Sequence, residues 1–153
     1  MIKNIGIEMS QETYLGIKNN RLVGMLTTYS DKGLPSLMPI STLYPKNRES
    51  IIVALPSSSE AYKNMVWQKK VVLSFVESFP LNVHIIARAG VLRAPSQVHP
   101  MMHIAQIDLI DIVHDDSLIV AIETGIRWKH ISFETKALHD AIMAELHECA
   151  ETL

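Results

Sequence analysis

A single cysteine, Cys149, stands in a chain of 153 residues, which excludes an internal disulfide and any zinc site built from several thiolates. It lies in an expected C-terminal helix beside Glu148 and Glu151, whose charges raise a thiol pKa, so its expected role is structural. Basic residues are also scarce: 14 Lys and Arg against 16 Asp and Glu leave a formal charge of -2. Without a Lys/Arg cluster there is no electrostatic footprint for nucleic acid or an anionic membrane, and neither is expected as a partner. Long apolar runs are missing too. Ile51 to Leu55 and Leu118 to Ile122 are strand-sized, far short of a bilayer span. The opening MIKNIGIEM is broken by a Gly and a Glu where a signal peptide needs an unbroken apolar stretch, and a cytoplasmic location is the expectation.

What is present is an ordinary globular composition, 48% hydrophobic and 20% charged. The length predicts one domain over residues 1–153, large enough to bury about 70% of its unfolded surface. Ser10, Gln11 and Glu12 ahead of Leu15 predict a short capped helix ending near Asn19 and Asn20. Leu22 to Tyr29 and Leu34 to Leu43 flank the turn signal Ser30-Asp31-Lys32-Gly33 and predict a β-hairpin. Pro35 and Pro39 remove ladder donors from its second arm, which suits an edge strand whose backbone groups are free to meet a ligand.

A second turn, Pro45 to Ser50, leads into the Ile51 strand. Strands are expected over Val71 to Glu77 and His84 to Leu92, separated by a Phe79-Pro80-Leu81-Asn82 turn, with a bulge at Gly90. Pro95 to Gln106 reads equally as a short helix opened by Pro100 or as a strand edge. Ile107 to His114 and Leu118 to His130 are predicted strands joined at Asp115-Asp116. Phe133 to Glu151 is a predicted amphipathic helix, its apolar side made by Phe133, Ala137, Ala141 and Ala144 with Met143 and Leu146. Turns this short allow only antiparallel neighbours, so the expectation is a mostly β fold with peripheral helices, and a closed barrel fits best.

The most informative stretch is IIVALPSSSEAYKNM, Ile51 to Met65. A β-branched run stops at Pro56, and serines then open a helix. Ser57 and Glu60 have the S-x-x-E spacing of a capping box, which places the helix start at Ser57 or Ser58. Ser59 and Lys63 share a helical face one turn apart. Hydroxyls, free backbone amides, the positive end of the helix dipole and one ammonium can converge there on a phosphate. The same serines also suit a plain cap, and the lysine a solvated position.

The order of these pieces resembles the FMN-binding split-barrel group, the pyridoxamine 5'-phosphate oxidase-like proteins. The matching features are Asp31-Lys32-Gly33, the proline-bearing Pro35 to Ser41, Ser57 to Ser59 with Lys63 and Asn64, and Lys69-Lys70-Val71-Val72-Leu73. The resemblance implies a six- to seven-stranded antiparallel split β-barrel and a homodimer holding FMN between its two barrels. It implies the cofactor phosphate at Ser57, Ser58, Ser59, Lys63 and Asn64, and the ring along Met38, Pro39, Ile40 and Ser41. An FMN-dependent oxidoreductase acting on a small molecule or reduced nicotinamide is the leading reading. A carrier or sensor of flavin, deazaflavin or haem is the alternative, with His84, His114 or His130 as a haem ligand. The acidic final helix replaces the arginine-bearing end that oxidation of pyridoxamine phosphate requires, which argues against that substrate.

Arg127-Trp128-Lys129-His130, read as a strand, puts Arg127 and Lys129 on one face and Trp128 and His130 on the other. Trp128 then serves either as a core residue or as a wall for the flavin ring. Arg127 is either solvated or set to stabilise the reduced flavin. No metal site is expected. His99 and His103 are four apart but are interrupted by Pro100 and lack a third ligand, and His139 and His147 are read as ordinary helix histidines.

Overall fold

The computed structural model describes residues 7–19, 22–77, 81–114 and 119–152. Helix α1 (Gln11–Lys18) starts where expected, because the Ser10 hydroxyl accepts the Thr13 amide at 3.2 Å. Strands β1 (Gly24–Tyr29) and β2 (Pro35–Ile40) form the expected hairpin, running in register from Gly24 opposite Ile40 to Tyr29 opposite Pro35. Its turn needs Gly33, whose φ of 76° is a left-handed conformation. The Ser30 hydroxyl secures the turn by accepting the amides of Lys32 and Leu34.

The hairpin arm ends at Ile40, three residues short of the expected Leu43. A further strand, β3 (Leu43–Asn47), lies where the turn Pro45 to Ser50 was expected, and it pairs with β4 (Ser50–Pro56). Pro45 is tolerated because β3 is a sheet edge with a neighbour on one side only, and the register slips beside it at Lys46. Helix α2 (Glu60–Trp67), β5 (Lys70–Phe75), β6 (Val83–Arg93) and β7 (Met102–His114) follow. All pairings are antiparallel, in the order β2-β1-β5-β6-β7-β4-β3. The sheet curls into a half-barrel and is not the closed barrel expected, since β2 and β3 remain its edges; Thr42 extends the β3–β4 ladder, its carbonyl accepting the Ala54 amide and its hydroxyl donating to the Ala54 carbonyl.

The unbroken apolar run of β4 is explained by burial of both its faces. Ile51, Val53 and Leu55 enter the barrel core with Leu26, Leu43, Leu73, Phe75 and Ile85. Ile52 and Ala54 face outward, beneath Ile142, Leu146 and Cys149 of α3 (Phe133–Thr152). This helix keeps only part of its expected face: Leu146 is buried and Met143 packs beside it. Phe133 is 82% exposed, and Ala137, Ala141 and Ala144 are exposed as well. The buried positions are Ile142, Glu145, Leu146 and Cys149, because the helix meets β3 and β4 through its C-terminal half.

Two other expectations fail for reasons of pairing. The β6 bulge sits at Leu92, while Gly90 pairs regularly with Gln106. Residues 119–130 form no strand: β7 is already flanked by β6 and β4, and the segment pairs with neither sheet edge, β2 or β3. The segment instead reaches Glu77, whose carboxylate accepts the Gly125 amide at 3.0 Å. The turns expected at Phe79-Pro80 and Asp115-Asp116, the helix end at Asn20 and the position Leu118 fall outside the described residues. Residues 94–101 form an irregular loop, and the strand begins after it, at Met102. Among the described residues no helix is long and apolar enough to cross a membrane.

Glu145 holds that loop to α3. Its buried carboxylate accepts Arg93 Nη1 at 2.9 Å, Ser96 Oγ at 2.7 Å and the amides of Gln97 and Val98. Burial alone raises its pKa, but these four donors outweigh burial and leave it below the usual glutamate range. Glu145→Ala strands the Arg93 charge and the loop amides, so urea denaturation is expected to show a loss of about 3–5 kcal/mol. Because the folded pKa is depressed, the contribution is complete above the ordinary glutamate pKa of about 4.3 and is lost as pH falls through the folded value. The stabilities of wild type and Glu145→Gln are therefore expected to converge in acid.

Candidate functional site

The helix that follows β4 starts one to two residues later than its serines predict. β4 stays paired to β7 as far as Pro56, and the Ser57 amide continues that pairing by donating to the Met101 carbonyl at 2.7 Å. Ser57 is thereby held with the sheet, and Ser59 becomes the cap. Its hydroxyl accepts the Tyr62 amide at 3.1 Å and donates to the Pro56 carbonyl at 2.7 Å. Glu60 is then the first helical residue, and no Ser57–Glu60 capping box forms.

Ser59 is thus committed to the helix. Among the described residues, nothing hydrogen-bonds the hydroxyls of Ser57 and Ser58 or the ammonium of Lys63. Ser57 and Lys63 border an open depression of about 420 Å³ whose other walls are Tyr62, Val66 and Trp67. Trp67 is 72% exposed, and the Tyr62 ring is braced edge-on by His103 at 4.7 Å. An ammonium and one serine hydroxyl therefore stand beside an apolar, aromatic shelf.

The remaining expected site residues are dispersed. Asn64 is buried and donates to Thr28 Oγ1 at 3.2 Å, so it ties α2 to β1. Ile40 is 3% exposed and belongs to the barrel core, as strand alternation requires once Pro39 faces out. Met38 packs partly against that core, whereas Pro39 is exposed. Ser41 is half-buried in the link to β3. Arg127 lines a separate recess of about 610 Å³ against α1, with Glu12, Leu15, Asn19, Glu77 and Leu81 among its walls.

Trp128 turns elsewhere, to a group that sequence spacing did not reveal. Its ring lies 5.0 Å from those of both His130 and His139, and the two imidazoles are 5.1 Å apart. Ligand atoms of His130, His139 and Asp140 all lie within 4.8 Å of one another. Burial lowers the His139 pKa, and His130 lowers it further. His99 and His103 do not assemble in this way: His99 Nδ1 accepts the Met101 amide at 3.1 Å. His84 and His114 lie on opposite faces of the sheet, because Val83 is the residue opposite His114. Cys149 is buried and free, and burial pushes its thiol pKa up.

Neither a family model nor a curated protein matches the sequence. Solved structures do match in shape. A provisionally assigned pyridoxamine 5'-phosphate oxidase of Lactobacillus delbrueckii superposes with a TM-score of 0.60 at 20% identity, over 74% of this chain and 99% of its own. An FMN-binding protein of Syntrophomonas wolfei gives 0.57 at 15% identity, over 70% and 86%. The haem storage protein HutZ of Vibrio cholerae gives 0.55 at 11%, over 68% and 93%. A seven-stranded antiparallel half-barrel with three helices and these structural neighbours make the fold of this chain that of the pyridoxamine 5'-phosphate oxidase-like, FMN-binding split barrels.

Proposed function

We propose that this chain is an FMN-dependent oxidoreductase that works as a homodimer, with the cofactor phosphate at the turn after β4. The observation that supports this most directly is the depression where Lys63 and Ser57 meet the apolar shelf of Tyr62, Val66 and Trp67. A phosphate matches the ammonium and hydroxyls, and an aromatic ring system matches the shelf. Bound FMN supplies hydride and electron transfer. The role of the chain is to hold and orient it: Lys63 and the serine hydroxyls neutralise and fix the phosphate, while Trp67 and Val66 exclude water from one side. The exposed outer edge of β2, with Pro39, offers backbone groups beyond this shelf.

The apolar surface supports the dimer. Leu34 and Leu37 on the hairpin, Ile119 and Val120 after β7, and Ile131 and Phe133 at the start of α3 are all more than half exposed. On this reading these side chains belong to the surface that a second copy covers.

Two measurements test these statements. FMN is expected to bind more tightly than riboflavin, and Lys63→Ala to weaken FMN about tenfold to a hundredfold, the worth of one charge-assisted hydrogen bond. Equal affinity for the two flavins contradicts the phosphate assignment. A preference for a deazaflavin or for haemin, titrated in parallel, moves the function to a carrier of that group. Light scattering is expected to show a dimer at micromolar concentration and a shift towards monomer in the Ile131→Asp, Phe133→Asp double variant. A monomeric wild type rules the dimer out.

A further inference from the structure

Among the described residues, His139 is the one side chain with two buried polar atoms that have no hydrogen-bond partner, its Nδ1 and Nε2. Among the described residues the only other such atom is His103 Nδ1, whereas Glu145, Asn64 and Ser96 are paired. A ring left this way is either an unrelieved defect or one end of an interaction with a group outside the chain. Its surroundings favour the second. His130 and Asp140 bring two more donors to within 4.8 Å, from different parts of the chain: His139 and Asp140 project from α3, and His130 from the irregular stretch before it.

We propose that His130, His139 and Asp140 bind one divalent transition-metal ion of the zinc type, with a fourth position open to water or a small ligand. Two imidazoles and one carboxylate form the donor set that suits zinc, cobalt or nickel, whereas calcium and magnesium favour an all-oxygen shell. In a tetrahedral zinc site the ligand atoms are about 3.4 Å apart, so the present separations close by small side-chain rotations.

Asp140 Oδ2 is held by Lys136 at 2.6 Å in an exposed ion pair on the helix surface, and Oδ1 is the carboxylate oxygen without a hydrogen-bond partner among the described residues. Trp128, against both imidazoles, forms an apolar wall that limits water access. The ion would pin the stretch carrying Trp128 and His130 to α3. None of these residues borders the depression at Lys63, so the site stands independently of the flavin assignment.

The test uses full-length, tag-free protein stripped with a chelator. Titration with zinc chloride in a calorimeter is expected to show one ion per chain, and cobalt chloride to give the intense visible bands of four-coordinate cobalt. His130→Ala, at a residue outside regular structure, is expected to weaken zinc about tenfold or more and to leave the circular dichroism melt of the metal-free protein unchanged. Asp140→Asn is expected to weaken zinc similarly, and His139→Ala to abolish the cobalt bands. His147→Ala, on the same helix, is expected to change neither signal. Absence of stoichiometric zinc uptake overturns the site, as does uptake that survives His130→Ala and His139→Ala. Binding of haemin through these histidines without zinc uptake overturns it too.

Discussion

The structure depends on one strand buried from both sides. β4 is paired along its length to β3 and β7, sends Ile51, Val53 and Leu55 into the barrel, and sends Ile52 and Ala54 under α3. It joins two apolar clusters that have no other strand in common to the same degree, and its burial explains why so short a run carries no polar side chain between Ser50 and Pro56. Everything functional hangs on its ends or faces. Its far end delivers the serine turn, because Pro56 and Ser57 remain tied to Met102 and Met101. Its outer face seats α3, and with it His139, Asp140 and the Glu145 anchor.

The two sites differ in how they are made. At the serine turn, most of the local polar capacity is consumed by the fold: the Ser57 amide extends the sheet, Ser59 caps α2 and Asn64 ties the helix to Thr28. What is left over at the depression is Lys63 and the Ser57 hydroxyl beside an apolar, aromatic shelf, the feature on which the proposed phosphate site rests. At the histidine cluster the imbalance runs the other way. The fold buries an imidazole and gives it ring contacts without hydrogen bonds, so the unmet capacity lies inside the protein. On the proposed readings, the first would attract an anion through a surface ammonium and the second a cation through unshared imidazole lone pairs.

Much of the fold was legible in the chain. The hairpin at Asp31-Lys32-Gly33, the apolar Ile51 strand, the serine-capped helix and the antiparallel order all follow from turn chemistry and hydrophobic period, which are local signals. Errors fell where neighbours decide. Leu118 to His130 has the composition of a strand, but a strand needs a backbone partner, and residues 119–130 pair with no strand, Gly125 being held by the Glu77 carboxylate instead. On α3, Leu146 and Met143 were read correctly, but the alanines and Phe133 were misjudged because alanines suit either side of a helix, while contact with β3 and β4 selected Ile142 and Cys149 beside Leu146.

By itself, then, the sequence determined the antiparallel β class, the turn and cap positions to within a residue or two, and the residue types available for an anion, since each depends on side chains a few positions apart. Tertiary structure alone decided which of those side chains remain available. It withdrew Asn64 and Ile40 into the interior, sent Arg127 to a separate recess and assembled His130 with His139 and Asp140 across a loop and a helix. The physical reason is that burial and hydrogen-bond partners are set by contacts between residues distant in the chain, which no spacing along it encodes.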